Sequence, residues 1–177
     1  MTSAHVYIGT SLDGFIARTD GDINWLVKYG DADAVEAYNE FMTAIDAIVI
    51  GRGTFEKVLE FPAWPYDRPV FVLSRTLKNL PDSINDGATV LSLNPADLLR
   101  HLSDKGFRAA YIDGGKVIQS FLAEDLIDSL IIAKVPVIIG SGLPLFGSLD
   151  FDIAFDHSQT KIYPNGLVRS YYKRKRD

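Results

Sequence analysis

Apolar positions along this chain fall into two alternating rhythms. Short continuous runs rich in β-branched residues read as buried strands. Longer stretches with apolar residues three and four apart read as helices that cover them. Residues 6–8, 47–50, 70–73, 90–93, 109–112 and 130–139 form the strand set. Val35, Tyr38, Phe41, Met42 and Ile45 predict a helix over 33–44. Leu98, Leu99 and Leu102 predict another, opened by an Asn94 cap with Pro95 at the first helical position. Val117, Ile118, Phe121 and Leu122 predict a third, directly after Gly114-Gly115. A shorter helix is expected over 54–59, with the Thr54 hydroxyl as its cap. Residues 11–14 and 20–22 read as loop. Near the end, 160–163 and 167–173 flank Pro164-Asn165-Gly166, a hairpin signal.

The order is strand then helix, repeated about four times, followed by strands alone. Such alternation predicts an α/β fold. A central mixed, mostly parallel sheet is flanked by helices, with right-handed crossovers and a C-terminal antiparallel hairpin at one edge. With no internal repeat and no linker, residues 1–177 read as a single domain.

Composition narrows the function. The 177 residues are 47% hydrophobic and 23% charged, enough for a core without covalent staples. Cysteine is absent, which excludes a disulfide framework, a cysteine zinc site, an iron–sulfur cluster and a thiol nucleophile. A net charge of -5 argues against a wholly basic nucleic-acid surface, and the run Lys173-Arg174-Lys175-Arg176 reads as a solvated chain end. His5, His101 and His157 show no ligand spacing, so no metal is expected. The first residues lack a basic n-region, and the apolar stretch 130–139 is interrupted by Lys134 and Pro136. The expectation is a cytoplasmic protein that meets a small molecule, neither nucleic acid nor a membrane.

Candidate chemistry gathers at the carboxyl ends of the strands, where open α/β sheets bind ligands. Asp113-Gly114-Gly115-Lys116-Val117 joins a strand to a helix. Two glycines let the backbone approach an anion, and the helix start presents unpaired N–H groups to a phosphate. The same pair also serves as a bare tight turn, and the sequence leaves both readings open. Gly51-Arg52-Gly53-Thr54 repeats the architecture, with a guanidinium fork suited to phosphate. Ser74-Arg75-Thr76 follows the next strand and suits a phosphate monoester.

These segments coincide with a known pattern. The chain resembles the dihydrofolate-reductase-like superfamily, and most of all the branch of the reductase domain in the bifunctional riboflavin-biosynthesis deaminase-reductase. The resemblance is carried, in order, by Ser11-Leu12-Asp13-Gly14-Phe15-Ile16-Ala17, Ile50-Gly51-Arg52-Gly53-Thr54-Phe55-Glu56, Val72-Leu73-Ser74-Arg75-Thr76, Asp113-Gly114-Gly115 and Ile139-Gly140-Ser141-Gly142-Leu143-Pro144-Leu145-Phe146. It implies NADPH as hydride donor. Gly51, Arg52, Thr54, Gly114, Gly115, Lys116 and Val117 would hold the pyrophosphate. Leu73, Ser74 and Arg75 would lie at the adenosine 2′-phosphate, and the segment ending at Ala17 would pass the nicotinamide. It also implies a homodimer. The chain departs from dihydrofolate reductases in placing Val35, beside Glu36, where they carry a buried acid. It departs from the riboflavin branch in having Asp113 where Glu is common.

Reduction of a carbonyl or imine needs a proton as well as a hydride. Asp113 and Asp13 are the candidate donors. Asp13-Gly14 is also a turn signal, and Asp113 also suits a helix cap. Trp25, Phe41 and Trp64 are candidates for stacking on a planar substrate. The leading expectation is an NADPH-dependent reductase of a small heteroaromatic or sugar-derived substrate. The alternatives are a dihydrofolate or pteridine reductase, a non-catalytic NADPH-binding module, and a nucleotide-binding enzyme without redox chemistry.

Overall fold

A computed structural model describes residues 1–81, 84 and 87–176. The elements run β1 (Ser3–Thr10), β2 (Phe15–Ala17), α1 (Asn24–Val27), α2 (Ala32–Met42), β3 (Ala47–Gly51), α3 (Arg52–Val58), β4 (Val70–Leu73), β5 (Ala88–Leu91), α4 (Pro95–Asp104), β6 (Ala109–Asp113), α5 (Gly115–Ala123), β7 (Ser129–Lys134), β8 (Leu143–Pro144), β9 (Phe155–Ile162) and β10 (Val168–Arg174). Eight strands form one sheet in the order β5-β4-β3-β6-β1-β7-β10-β9. Every pair from β5 to β7 is parallel, and β10 and β9 add antiparallel pairs at the far edge. β2 and β8 make a separate two-stranded antiparallel sheet.

Both faces of the parallel strands are covered, which is why those strands read as unbroken apolar runs. Ala47, Val49, Ala110 and Ile112 pack under α4 and α5, against Leu98, Leu102, Ile118 and Phe121. Ile48, Ile50 and Tyr111 face the other way, onto Met42 at the end of α2 and Phe55 of α3. Asn94 caps α4 as the sequence predicts, its side chain accepting from Asp97 N at 2.8 Å.

Several expectations are corrected. The predicted strand over 130–139 ends at Lys134. Pro136 has no N–H for a ladder, and Val137 N turns back to Val135 O at 2.8 Å. Thr54 does not cap α3, which begins at Arg52 behind Gly51 without a side-chain cap bond. The strand expected over 90–93 lies earlier, at Ala88–Leu91. The first hairpin strand starts at Phe155 rather than 160. α1, β2 and β8 were not predicted. They span four, three and two residues, too few for any periodicity to show.

Candidate functional site

β4, β3 and β6 are adjacent and parallel, so their carboxyl ends open on one rim. The chain leaves β6 through Gly114, whose φ of 95° lies in the left-handed region. A Cβ at Gly114 would sit 2.4 Å from Thr54 Oγ1, and one at Gly51 would meet Val117 Cγ2 at 3.0 Å. The starts of α3 and α5 therefore interlock through two glycines. Gly114 is the N-cap of α5, and no side chain bonds to that end. The first-turn N–H groups are left for an outside acceptor, with the exposed Lys116 beside them.

Next along the rim, Leu73 closes β4 in register with Gly51 and Leu91. Ser74 N donates to Leu91 O at 3.0 Å. Ser74 Oγ accepts from Thr76 N at 3.2 Å and Leu77 N at 2.9 Å, shaping the turn that carries the exposed Arg75. Arg52 donates from Nε to Glu56 at 2.6 Å and from Nη1 to Thr76 Oγ1 at 3.0 Å, which ties α3 to that turn.

The small sheet lies across the start of α5. A Cβ on Gly115 would meet Ile16 Cδ1 at 3.0 Å and Pro144 O at 3.3 Å, and Gln119 Nε2 donates to Pro144 O at 2.9 Å. Ala17 is buried in register with Leu143, and its carbonyl would lie 2.2 Å from a Cβ on Gly142. Asp13 is exposed and accepts from Ile139 N at 3.2 Å and Gly140 N at 2.8 Å. The Ser11 hydroxyl and then these two backbone donors hold its carboxyl below the usual range. Asp13 is thus an ionised clamp on the loop after β7, with little tendency to carry a proton.

Asp113 is different. It ends β6 on the α2 side of the sheet, in register with Ile50. Burial pushes its carboxyl up to about 6, against the opposing pull of Gly114 N, which donates to it at 2.8 Å, and of the Tyr111 hydroxyl. It does not cap α5, since no side chain bonds to that end of the helix and the Gly114 N–H it accepts from belongs to the N-cap residue itself.

Around it stand tyrosines that sequence reasoning did not single out. Burial first, and the Asp113 charge second, push the hydroxyls of Tyr38, Tyr66 and Tyr111 up, Tyr38 to about 12. Tyr7 meets Tyr38 edge-on at 5.6 Å, and Phe41 packs 5.3 Å from both Tyr7 and Tyr111. Tyr111 donates its hydroxyl to Tyr7 O at 2.9 Å. Trp64 stacks edge-on to Tyr66 at 5.3 Å. Phe41 and Trp64 thus belong to this floor, whereas Trp25 packs with Ala133, Val135 and Leu167 further along the sheet. The available signal was tyrosine at core-facing positions, two of them inside predicted strands. Glu36 and Glu40 are exposed on α2, so that helix presents no buried acid.

Residues 5–168 match the RibD C-terminal domain family. A riboflavin biosynthesis protein from Shewanella sp. PV-4, so described with reservation by its own structure report, superposes with a TM-score of 0.93 and 38% identity over 99% of this chain and 100% of its own. The Thermotoga maritima diaminohydroxyphosphoribosylaminopyrimidine deaminase/5-amino-6-(5-phosphoribosylamino)uracil reductase shares the fold at a TM-score of 0.78 and 16% identity, over 98% of this chain and 57% of that one. Dihydrofolate reductase from Enterococcus faecalis, solved with NADP(H), shares it at 0.71 and 17%, over 99% of this chain and 97% of that one. The fold is therefore dihydrofolate-reductase-like, and the chain belongs to the RibD C-terminal domain family of reductase domains.

Proposed function

We propose that this chain is an NADPH-dependent reductase that transfers hydride to a small heteroaromatic or sugar-derived substrate, similar to the 5-amino-6-(5-phosphoribosylamino)uracil named for the Thermotoga enzyme. The observation that carries the reading is the corner where Gly114 leaves no room for a side chain against Thr54, directly after Asp113. A backbone surface that a Cβ would fill fits a pyrophosphate. Gly51, Arg52, Thr54, Gly114, Gly115, Lys116 and Val117 would hold that group, Leu73, Ser74 and Arg75 the 2′-phosphate, and Ala17 the nicotinamide side.

Bound there, NADPH supplies the hydride. The rest is the protein's. The tyrosine floor keeps solvent from one side of the substrate and offers it a flat apolar surface. Asp113 holds or releases a proton near neutrality and stands ready to protonate the atom next to the reduced carbon. With a carboxyl titrating at about 6, about a tenth of it is protonated at pH 7. Folate reduction is the weaker reading, because α2 lacks a buried acid.

NADPH should quench the tryptophan fluorescence, and Arg75→Ala should weaken NADPH by about tenfold or more while leaving NADH nearly unchanged. Equal loss for both cofactors would remove the 2′-phosphate assignment. Tight NADPH binding with no oxidation across pyrimidine ribosylamines, pterins and quinones would make the chain a binding module instead.

A further inference from the structure

Arg169 is fully buried in β10, yet among the described residues no carboxylate pairs with it. Its Nη1 donates to the Tyr163 hydroxyl, and its guanidinium lies 4.7 Å from the Tyr163 ring and 5.6 Å from the Tyr7 ring. Its Nε has no partner at all. Aromatic faces offset only part of the cost of taking a charge from water, so the site is short of negative charge. A second orphan lies in the same region. Trp25 Nε1 is buried without an acceptor, in a cluster with Ala133 and against Tyr163. Arg169 is in register with Ala133, and Ala133 with Gly9, so these side chains share the face that carries Tyr7. Both orphans are donors.

We infer that Arg169, with Trp25 beside it, is an oxyanion site at the end of the substrate cleft opposite Asp113, and that it takes a phosphate or carboxylate carried by the substrate. The inference rests on the reductase reading for the word substrate, but not for the site. Tyr7 joins the two ends, since it touches Arg169 on one side and Tyr38 on the other, and Tyr38 feels the Asp113 charge. A planar ring on this floor would have an acid at one end and a cation at the other. α1 lies over β1 on this side, with Leu26 filling the space over Gly9, where a Cβ would come within 2.6 Å of it.

The test uses the full chain carrying Trp64→Phe, which leaves Trp25 as the only one of two tryptophans. Inorganic phosphate and, separately, acetate are titrated at ionic strength held constant with sodium chloride. A saturable change in Trp25 emission is expected with at least one of them, and the stronger arm identifies the anion. Arg169→Lys should weaken it about tenfold, because the ammonium lacks the fork. Tyr163→Phe, which frees Nη1 and keeps the guanidinium, should bind as well or better. A non-saturable response, or a response unmoved by Arg169→Lys but weakened by Arg75→Ala, would overturn the inference by placing the anion in the cofactor corner. Should Arg169→Lys fail to fold, loss of binding in Tyr163→Phe overturns it instead. NADPH binding without phosphate or acetate saturation removes this site and leaves the reductase reading. Saturation without NADPH binding does the reverse.

Discussion

Replacing Asp113 with Asn tests the electrostatics and the chemistry of the site together. Asn keeps an oxygen for the Gly114 N–H, which donates to Asp113 at 2.8 Å, and removes the ionisation. The carboxyl is raised in the folded protein from 3.8 to about 6, chiefly by burial. The folded state therefore binds the proton more tightly than the unfolded one. The stability this contributes is complete below 3.8 and is lost as pH rises to about 6, above which nothing further changes. Between pH 4.5 and pH 8 the loss is about 2 kcal/mol, taking ~1.4 kcal/mol for each pH unit crossed up to the folded value. The variant escapes it. At this chain length one kcal/mol moves Tm by about 2–4 °C, so the variant's Tm relative to wild type should climb by about 4–8 °C from pH 4.5 to pH 8. Calorimetry or fluorescence melts at matched ionic strength read this directly. A difference that is flat, or that falls with pH, would refute the raised carboxyl. In turnover, the variant should lose about 10²–10⁴ in kcat with NADPH binding retained, because a general acid contributes on that scale.

Other consequences follow from the same geometry. Gly114→Ala puts a Cβ 2.4 Å from Thr54 Oγ1 at a φ of 95°, and should cost about 1–3 kcal/mol in thermal unfolding and abolish NADPH quenching. Asp13→Ala releases the N–H groups of Ile139 and Gly140, and should cost about 1–2 kcal/mol and speed proteolysis within residues 135–142, with Asp113 titration unchanged. We propose that the chain is a homodimer. Phe146 and Phe151 are 51% and 46% exposed beside Leu149, and β9 is an eight-residue edge strand, so light scattering should give twice the 19.6 kDa mass.

Much of this architecture was legible because burial on both faces leaves a simple mark. The runs at Ala47–Gly51 and Ala109–Asp113 read as strands because no position in them can be polar until the rim is reached. The rim was legible for the same reason, since glycine and arginine appear abruptly after apolar residues. What the sequence hid is longer-ranged. Thr54 looked like a cap for its own helix, but its hydroxyl is spent on filling the space over Gly114, 60 residues on in the chain, a contact no local pattern encodes. Asp13 and Asp113 looked alike as acids after strands. They separate only when their partners are known, backbone donors and a hydroxyl in the open for one and a buried tyrosine floor for the other. Arg169 falls inside the predicted hairpin strand 167–173 with no local pattern to mark it, and only the sheet order buries it.

The position of the acid bears on the kind of substrate. In this chain α2 turns Tyr38, Phe41 and Met42 toward the sheet and leaves Val35, Glu36 and Glu40 at the surface. The helix therefore contributes surface for stacking and no charge. The proposed proton carrier, Asp113, ends β6, one residue before the glycine corner proposed to hold the pyrophosphate. An acid on the helix would sit across the cleft from the cofactor corner. An acid on β6 is joined to that corner covalently, so its position relative to the proposed pyrophosphate site varies little whatever α1 and α2 do. That arrangement favours protonation of an atom adjacent to the carbon that receives hydride, as in reduction of an imine or an opened sugar carbonyl. On the inference above, the far end of the cleft would be specified by Tyr163 and Arg169, away from the proposed proton carrier.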